Sequence, residues 1–153
     1  MTISAGDAAP DFTLPASGSG EVTLSKLGRP AVLYFYPRDD TPGCTKEAIA
    51  FSELLEQFAA LGVAVYGISK DTPEKHGRFA AKHGLSVPLL SDADGDVCER
   101  YGTWVEKSMY GRTSMGIERT TFLIDAAGTV REVWRKVKVP GHAEAVLEAA
   151  RSL

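Results

Sequence analysis

Six consecutive apolar residues, A-V-L-Y-F-Y at positions 31–36, stand between Pro30 and Pro37. A run this short, apolar on both faces of its pleat, suits a strand covered from both sides, and it is far below the roughly 20 residues a membrane span needs. Such a strand cannot exist at a sheet surface, so the rest of the chain must supply covering layers. From Thr45 the apolar residues recur at Ala48, Phe51, Leu54, Leu55, Phe58 and Leu61, the spacing of an amphipathic helix, and Gly62 can stop it. G-V-A-V-Y-G-I-S (62–69) then predicts a second buried strand.

The alternation continues. Residues 71–84 predict a helix capped by Thr72, opened by Pro73 and ended by Gly84. V-P-L-L (87–90) predicts a short strand and residues 93–101 a short helix, while 120–125 and 129–137 form a hairpin around A-A-G. Residues 141–152 close with a helix, and A-S-G-S-G-E (16–21) reads as the turn of an N-terminal hairpin between 11–15 and 22–24. The expectation is an α/β chain: a central mixed sheet flanked by helices, with an N-terminal β-hairpin extension. That is the element order of a thioredoxin-like fold. The 153 residues suit a single domain, 1–153.

Composition narrows the function classes. With 44% hydrophobic and 24% charged residues the chain is an ordinary globular one. A net charge of −3 disfavours nucleic acid or an anionic membrane as the main partner. The first residues, M-T-I-S-A-G, lack the basic start and apolar run of a secretory signal, so a cytoplasmic location is expected. Two cysteines, Cys44 and Cys98, make no disulfide framework, and in a reducing compartment a thiol is catalytic or structural rather than a permanent bridge.

P-R-D-D-T-P-G-C (37–44) joins the first buried strand to the first helix. With Thr41 as cap and Pro42 at the first helical position, Cys44 falls in the first turn, where unpaired N–H groups and the helix dipole favour a thiolate. Its pKa is expected below the free value of about 8.5. Dithiol exchangers carry C-x-x-C at such a junction, but Thr41 replaces the first sulfur here, which weakens thiol–disulfide exchange as a reading. The Thr41 hydroxyl either reaches the sulfur and its ligand or bonds the Cys44 backbone N–H; the sequence leaves both open. An isolated cysteine is ordinarily a small buried hydrophobe. The polar, turn-rich context at the end of a central strand favours a functional sulfur instead.

These residues also carry a resemblance. Pro37, Thr41 and Cys44 form P-x-x-x-T-x-x-C, and the string Y-P-R-D-D-T-P-G-C-T-K-E-A resembles the peroxiredoxins, in their bacterioferritin-comigratory or Q-type branch. A-P-D-F-T-L-P, M-Y-G…G-I-E-R-T-T-F-L-I-D (109–125) and W-R-K-V-K-V-P-G-H (134–142) extend the similarity from about Gly6 to Leu147. The resemblance implies a thiol peroxidase for hydrogen peroxide and organic hydroperoxides. It also implies a thioredoxin- or glutaredoxin-type reductant, a monomer, and no metal or organic cofactor. Cys44 is then the peroxidatic sulfur, Thr41 the hydroxyl orienting the peroxide, Pro37 the ring shielding the sulfur, and Arg119 the guanidinium beside it. The chemistry agrees, because attack of S⁻ on an O–O bond needs donors where negative charge develops, and arginine offers them in a fixed fork. Glu47 either holds Arg119, reaches back to the helix start, or is a solvated first-turn carboxylate.

The resemblance further implies a resolving thiol five residues on or in the following helix, but Ile49, Ala80 and Ala81 occupy those places. Cys98 is the only internal candidate; the alternative is a buried helix-face residue beside Val97 and Tyr101. The expectation is a one-cysteine cycle completed by an external thiol. Two competing functions remain, a thiol–disulfide exchanger and a non-enzymatic holdase or redox-sensing partner.

Other features carry less. His76 and His83 read as exposed on one helix face with His142 distant, so no metal site is expected. There is no G-x-G-x-x-G or P-loop, and D-A-D-G-D (92–96) reads as a turn and cap because Thr103 and Val105 stand where a calcium loop needs glutamate. R-K-V-K (135–138) reads as a solvated strand edge. Trp104, Met109 and Tyr110 border the mouth of the site or serve as core or contact surface.

Overall fold

The computed structural model of the chain describes residues 3–18 and 20–153, without the Met109 side chain. The leader reading at Met1 and Thr2, part of the 16–21 turn at Ser19, and the placing of the Met109 side chain therefore lie outside the described residues. Strand β3 (Ala31–Phe35) is buried along its whole length at the centre of a five-stranded sheet whose order is β5 (Leu89–Ser91), β4 (Ala64–Ser69), β3, β8 (Thr120–Ile124) and β9 (Val130–Trp134). It runs parallel to β4, which runs parallel to β5. On its other side β3 is antiparallel to β8, and β8 pairs with β9 across a register shift at Leu123/Ile124. The expected mixed α/β sheet is therefore present. So is the N-terminal hairpin, β1 (Thr13–Pro15) with β2 (Glu21–Thr23).

Alternation along β3 divides the interior into two cores, since successive side chains of a strand leave opposite faces. Val32, Tyr34 and Tyr36 pack with Cys44, Phe51 and Phe58 of helix α1 (Pro42–Ala60), Phe79 of α2 (Pro73–His83) and Val146 and Leu147 of α4 (His142–Ala150). Ala31, Leu33 and Phe35 face the other core, with Phe12, Leu14, Phe122 and the short helix α3 (Val97–Arg100). Among the described residues no helix is long and apolar enough to cross a membrane.

Helix α2 forms as its punctuation predicts: Thr72 Oγ1 accepts the Lys75 N–H at 3.2 Å, Pro73 opens the helix, and Gly84 ends it in the left-handed conformation. Two expectations need correction, and one element stands where none was expected. The short helix covers only 97–100 rather than 93–101, because the buried Asp92 carboxylate takes the N–H groups of Val97 and Cys98 and holds 93–96 as a turn. The R-K-V-K stretch lies beyond β9; Lys136 and Lys138 are exposed as expected, but Arg135 is half-buried, lies over the Phe122 ring and donates to the Ile3 carbonyl at 2.7 Å. Finally, β6 (Trp104–Met109) and β7 (Arg112–Ile117) form a separate two-stranded hairpin that was not foreseen. Its two-residue turn, Tyr110–Gly111, has positive φ at both residues, the twist a tight hairpin prefers.

Tyr34 stacks on Phe51 with ring centroids 4.6 Å apart, and a Cβ on Gly67 would come within 2.6 Å of the Tyr34 ring and hydroxyl. Gly77, on α2, has open space around it. Gly67→Ala is expected to destabilise by roughly 1–3 kcal/mol through overpacking. Gly77→Ala should stabilise by about 0.5–1 kcal/mol through helix propensity. Urea unfolding of the two variants checks both signs.

Candidate active site

Strand β3 delivers the chain to a loop, residues 36–41, and α1 starts with Pro42 at its first position. Cys44 thus sits in the first helical turn, 1% exposed, at the end of the sheet where β3 and β4 finish. Thr41 occupies the cap position without a side-chain cap bond. Without a bound ligand its hydroxyl bonds neither the sulfur nor the Cys44 backbone N–H. Instead Thr41 Oγ1 donates to the Arg38 carbonyl at 2.9 Å and closes the loop upon itself.

Arg119 arrives from the residue just before β8. The antiparallel register pairs Phe35 with Thr120, so the residue preceding Thr120 lies beside the loop that follows Phe35. Its guanidinium donates through Nη2 to Cys44 Sγ at 3.3 Å and through Nη1 to Glu47 Oε1 at 2.6 Å. A Cβ on Gly43 would stand 3.2 Å from that Nη2, so the glycine leaves room for the guanidinium against the helix tip. Burial works against the charge on Arg119, but Glu47 and then Cys44 override it and hold its pKa above the ordinary arginine value.

Glu47 is not a solvated carboxylate, nor does it reach back to the helix start: it is 1% exposed and holds Arg119. Its second oxygen has no hydrogen-bond partner among the described residues. Burial pushes the Glu47 carboxyl up to about 7, against the pull of Arg119. His142, at the start of α4, shares a 2.8 Å hydrogen bond with Thr121 Oγ1 and meets Phe51 and Trp134 edge-on. Burial, then Arg119, pushes His142 down to about 4, so it is a neutral ring near pH 7.

Beside the loop that precedes α1 lies a groove of about 470 Å³, lined by Pro37 and Thr41 of that loop together with Trp104, Lys107, Met115 and Ile117. Pro37 and Trp104 therefore both line this groove, while Tyr110 is 96% exposed in the β6–β7 turn. The hairpin forms one wall.

Sequence reading missed a second group of residues. His76 is fully buried, not exposed, and His142 is also buried. His76 Nδ1 lies 2.6 Å from Asp39 Oδ2 and Nε2 lies 3.0 Å from the Leu90 carbonyl. The loop residue Asp39 was not singled out either. Its Oδ1 accepts from the Tyr36 hydroxyl, and its backbone N–H donates to Asp71 Oδ2 at 2.8 Å. Asp39, Asp71 and His76 each bring a side-chain N or O atom within 4.8 Å of the others; the Asp39 carboxylate and His76 bond each other, while the Asp71 carboxylate accepts from the Asp39 backbone N–H. The clue was available: aspartates follow Pro37 in the loop, and a histidine stands on the apolar face of α2 three residues before Phe79.

Cys98 is free, fully buried and remote in kind. It belongs to the core on the opposite face of the sheet from Cys44. Burial, followed by the neighbouring Asp92 carboxylate, pushes its thiol pKa far above the ordinary value.

With this geometry in hand, relatives bear directly on identity. The model of the AhpC/TSA family matches residues 5–133. A putative peroxiredoxin Bcp of Coxiella burnetii is 50% identical over 148 residues, 96% of this chain and 98% of the relative. Peroxiredoxin Bcp of Bacillus subtilis is 44% identical, covering 100% of this chain and 98% of its own. Among solved structures, a cysteine-to-serine mutant of peroxiredoxin Q from Xylella fastidiosa superposes with a TM-score of 0.93 at 41% identity, covering 99% of this chain and 98% of that one. A bacterioferritin comigratory protein of Xanthomonas campestris, studied for its alkyl peroxide reduction activity, gives 0.87 at 44% identity over 92% of this chain and 90% of that one. End-to-end similarity of this kind, on a shared fold, makes the chain a member of the AhpC/TSA family of thiol-dependent peroxidases, within its Bcp or peroxiredoxin Q branch.

Proposed function

We propose that Cys44 is the peroxidatic sulfur and that Arg119 and Thr41 serve it directly. The observation that carries the reading is the 3.3 Å donation from Arg119 Nη2 to Cys44 Sγ at the tip of α1. The sulfur, as S⁻, attacks the nearer peroxide oxygen; the O–O bond breaks and the electron pair leaves on the distal oxygen. Cys44 becomes a sulfenic acid, and the departing RO⁻ takes a proton to give water or an alcohol. The guanidinium and the unpaired first-turn N–H groups provide positive potential where charge moves. Thr41, on the rim of the groove, exchanges its bond to the Arg38 carbonyl for one to the peroxide, and Pro37 shields the other side.

Hydrogen peroxide and organic hydroperoxides are the substrates, and a groove walled by Trp104, Met115 and Ile117 leaves space for an apolar substituent. The alkyl peroxide activity of the Xanthomonas campestris relative supports this. No metal or organic cofactor takes part, because the sulfur carries both electrons. Reduction follows a one-cysteine cycle. An external thiol, of thioredoxin, glutaredoxin or a small molecule, condenses with the sulfenic acid and releases water; a second thiol then frees Cys44 as the disulfide of the two external sulfurs leaves. What supports this over resolution by Cys98 is the sheet between the two sulfurs, since a disulfide needs Cα atoms within about 7 Å. The cytoplasm supplies such thiols and is the proposed location.

Cys44→Ser is expected to abolish peroxide consumption, while Cys98→Ser retains turnover within about twofold and peroxide-treated protein shows no 44–98 disulfide by mass spectrometry. Turnover that vanishes in Cys98→Ser, with that disulfide present in wild type, would overturn the one-cysteine cycle. Arg119→Ala should lower kcat/KM for hydrogen peroxide about 100-fold, and Arg119→Lys should recover only part of it. Steady-state kinetics with a thiol reductant in excess measures both.

Glu47 gives a pH signature. The folded carboxyl keeps its proton to about pH 7, whereas the unfolded one releases it near 4.5. The native state therefore binds more protons between these values, and the Glu47 contribution to stability falls as pH rises from about 4.5 to about 7. Glu47→Gln should flatten that slope in urea midpoints measured from pH 4 to 8; an unchanged slope rules the assignment out.

A further inference from the structure

The loop that presents Thr41 is held by contacts the peroxidase reading does not use. Asp39, 2% exposed, extends one carboxylate oxygen to His76 Nδ1 at 2.6 Å and the other to the Tyr36 hydroxyl at 2.5 Å. His76 is rooted in α2, and its Nε2 reaches the Leu90 carbonyl on β5. The Asp39 backbone N–H is bound by Asp71, which Ser69 and Lys75 hold in turn. The next residue, Asp40, takes a left-handed φ of 61°, uncommon for a side-chain-bearing residue, and is gripped from outside by Lys82 and His83 at 2.8 Å each. Thr41 then closes on Arg38, and the helix carrying Cys44 begins.

A buried acid–imidazole pair is not an economical way to fill space, because an apolar pair of similar volume avoids the desolvation. Its distinctive capacity is directional. Two short hydrogen bonds on one carboxylate fix the side chain of Asp39, and with it the backbone that turns through Asp40, in one arrangement. Strained backbone of this kind persists where neighbours over-determine it, and such places cluster at functional sites.

We propose that Asp39 and His76 are positioning residues for peroxide reduction: their buried pair ties the 37–41 loop to α2 and holds Thr41 and the start of α1 in the geometry the peroxide meets. The inference rests on Cys44 being the peroxidatic sulfur. It predicts that His76 acts through the hydrogen bond at Nδ1, towards the loop, and not through the one at Nε2, which secures α2 to β5. The two bonds are separable by substitution. An asparagine amide nitrogen stands near the place of Nδ1, and a glutamine amide nitrogen near that of Nε2.

The experiment measures single-turnover oxidation of reduced Cys44 by hydrogen peroxide, and in parallel its alkylation by iodoacetamide, which needs the sulfur but not the peroxide-binding loop. His76→Gln is expected to slow peroxide oxidation about tenfold, as small misplacements of reacting groups do, with alkylation unchanged. His76→Asn is expected to stay within about threefold of wild type, and Asp39→Asn, which keeps the side chain's size but replaces an acceptor oxygen by an NH2 donor, to fall with His76→Gln. Equal peroxide rates in all variants would overturn the proposal. So would an equal fall in His76→Asn and His76→Gln, which would make His76 an anchor for α2 alone. A rise in alkylation in step with the loss would show general loosening and would overturn it too. Should His76→Gln not fold, an unchanged rate in Asp39→Asn decides against the proposal by itself. Mass spectrometry of wild type separates the parent reading: oxidation at a sulfur other than Cys44 sinks that reading, and this proposal with it.

Discussion

The guanidinium of Arg119, held between the Cys44 sulfur and the buried Glu47 carboxylate, is the interaction on which the arrangement of this site depends. It joins the start of α1 to the start of β8, and neither partner is placed by local sequence alone. Antiparallel pairing of β3 with β8 sets Thr120 against Phe35, so a one-residue change in register would turn the side chains of β8 to opposite faces and carry Arg119 away from the sulfur. The register is secured because both strands are buried throughout, Leu33 with Phe122 on one face and Val32 with Leu123 on the other. Glycine eases the junction: a Cβ at Gly43 would press on the guanidinium at 3.2 Å.

The same pleat that builds the site separates the two thiols. Side chains leaving β3 on alternate faces recruit different partners, and each cysteine belongs to one set only. Cys44 takes its place beneath Arg119 through the first turn of α1. Cys98 lies in the opposite core, its backbone N–H bound to Asp92 and its thiol discouraged from ionising by burial and that same carboxylate. Two identical side chains therefore have unlike surroundings, a guanidinium beside one and a carboxylate beside the other. Thiol reactivity follows electropositive, accessible surroundings rather than residue type.

Features governed by neighbours in sequence were legible. The buried run at 31–36, the apolar spacing of α1, and the Thr72, Pro73 and Gly84 punctuation of α2 all act within a few residues, and each element formed close to its expected bounds. The Cys44 junction was legible for the same reason. Where distant residues decide, the reading failed. Trp104–Ile117 has no continuous apolar face, so the hairpin gave no periodic signal and depends on its tight Tyr110–Gly111 turn. Arg135 looked solvated because nothing nearby in sequence reveals that Phe122 and the Ile3 carbonyl receive it. His76 is the sharper case. A lysine and a glycine flank it, which suggested water, yet helical periodicity turns it inward beside Phe79 and towards Asp39, 37 residues earlier.

That misreading has a physical source with wider bearing. Neighbours at i−1 and i+1 on a helix point about 100° away from a residue, so their polarity says little about its own environment; the residues three and four apart say more. For His76 these are Thr72, Pro73, Phe79 and Ala80, of which Phe79 is core. A histidine on such a face must find acceptors inside, and the acceptors here are a loop aspartate and a strand carbonyl, both at the same end of the sheet as Cys44. Buried polarity, once forced to one end of an α/β sheet, is drawn to the loops that carry chemistry and to the edge strand, because these leave carboxylate and backbone groups unpaired by the ladder. The site and its supporting cluster therefore share one cause, the ending of β3 between two buried layers.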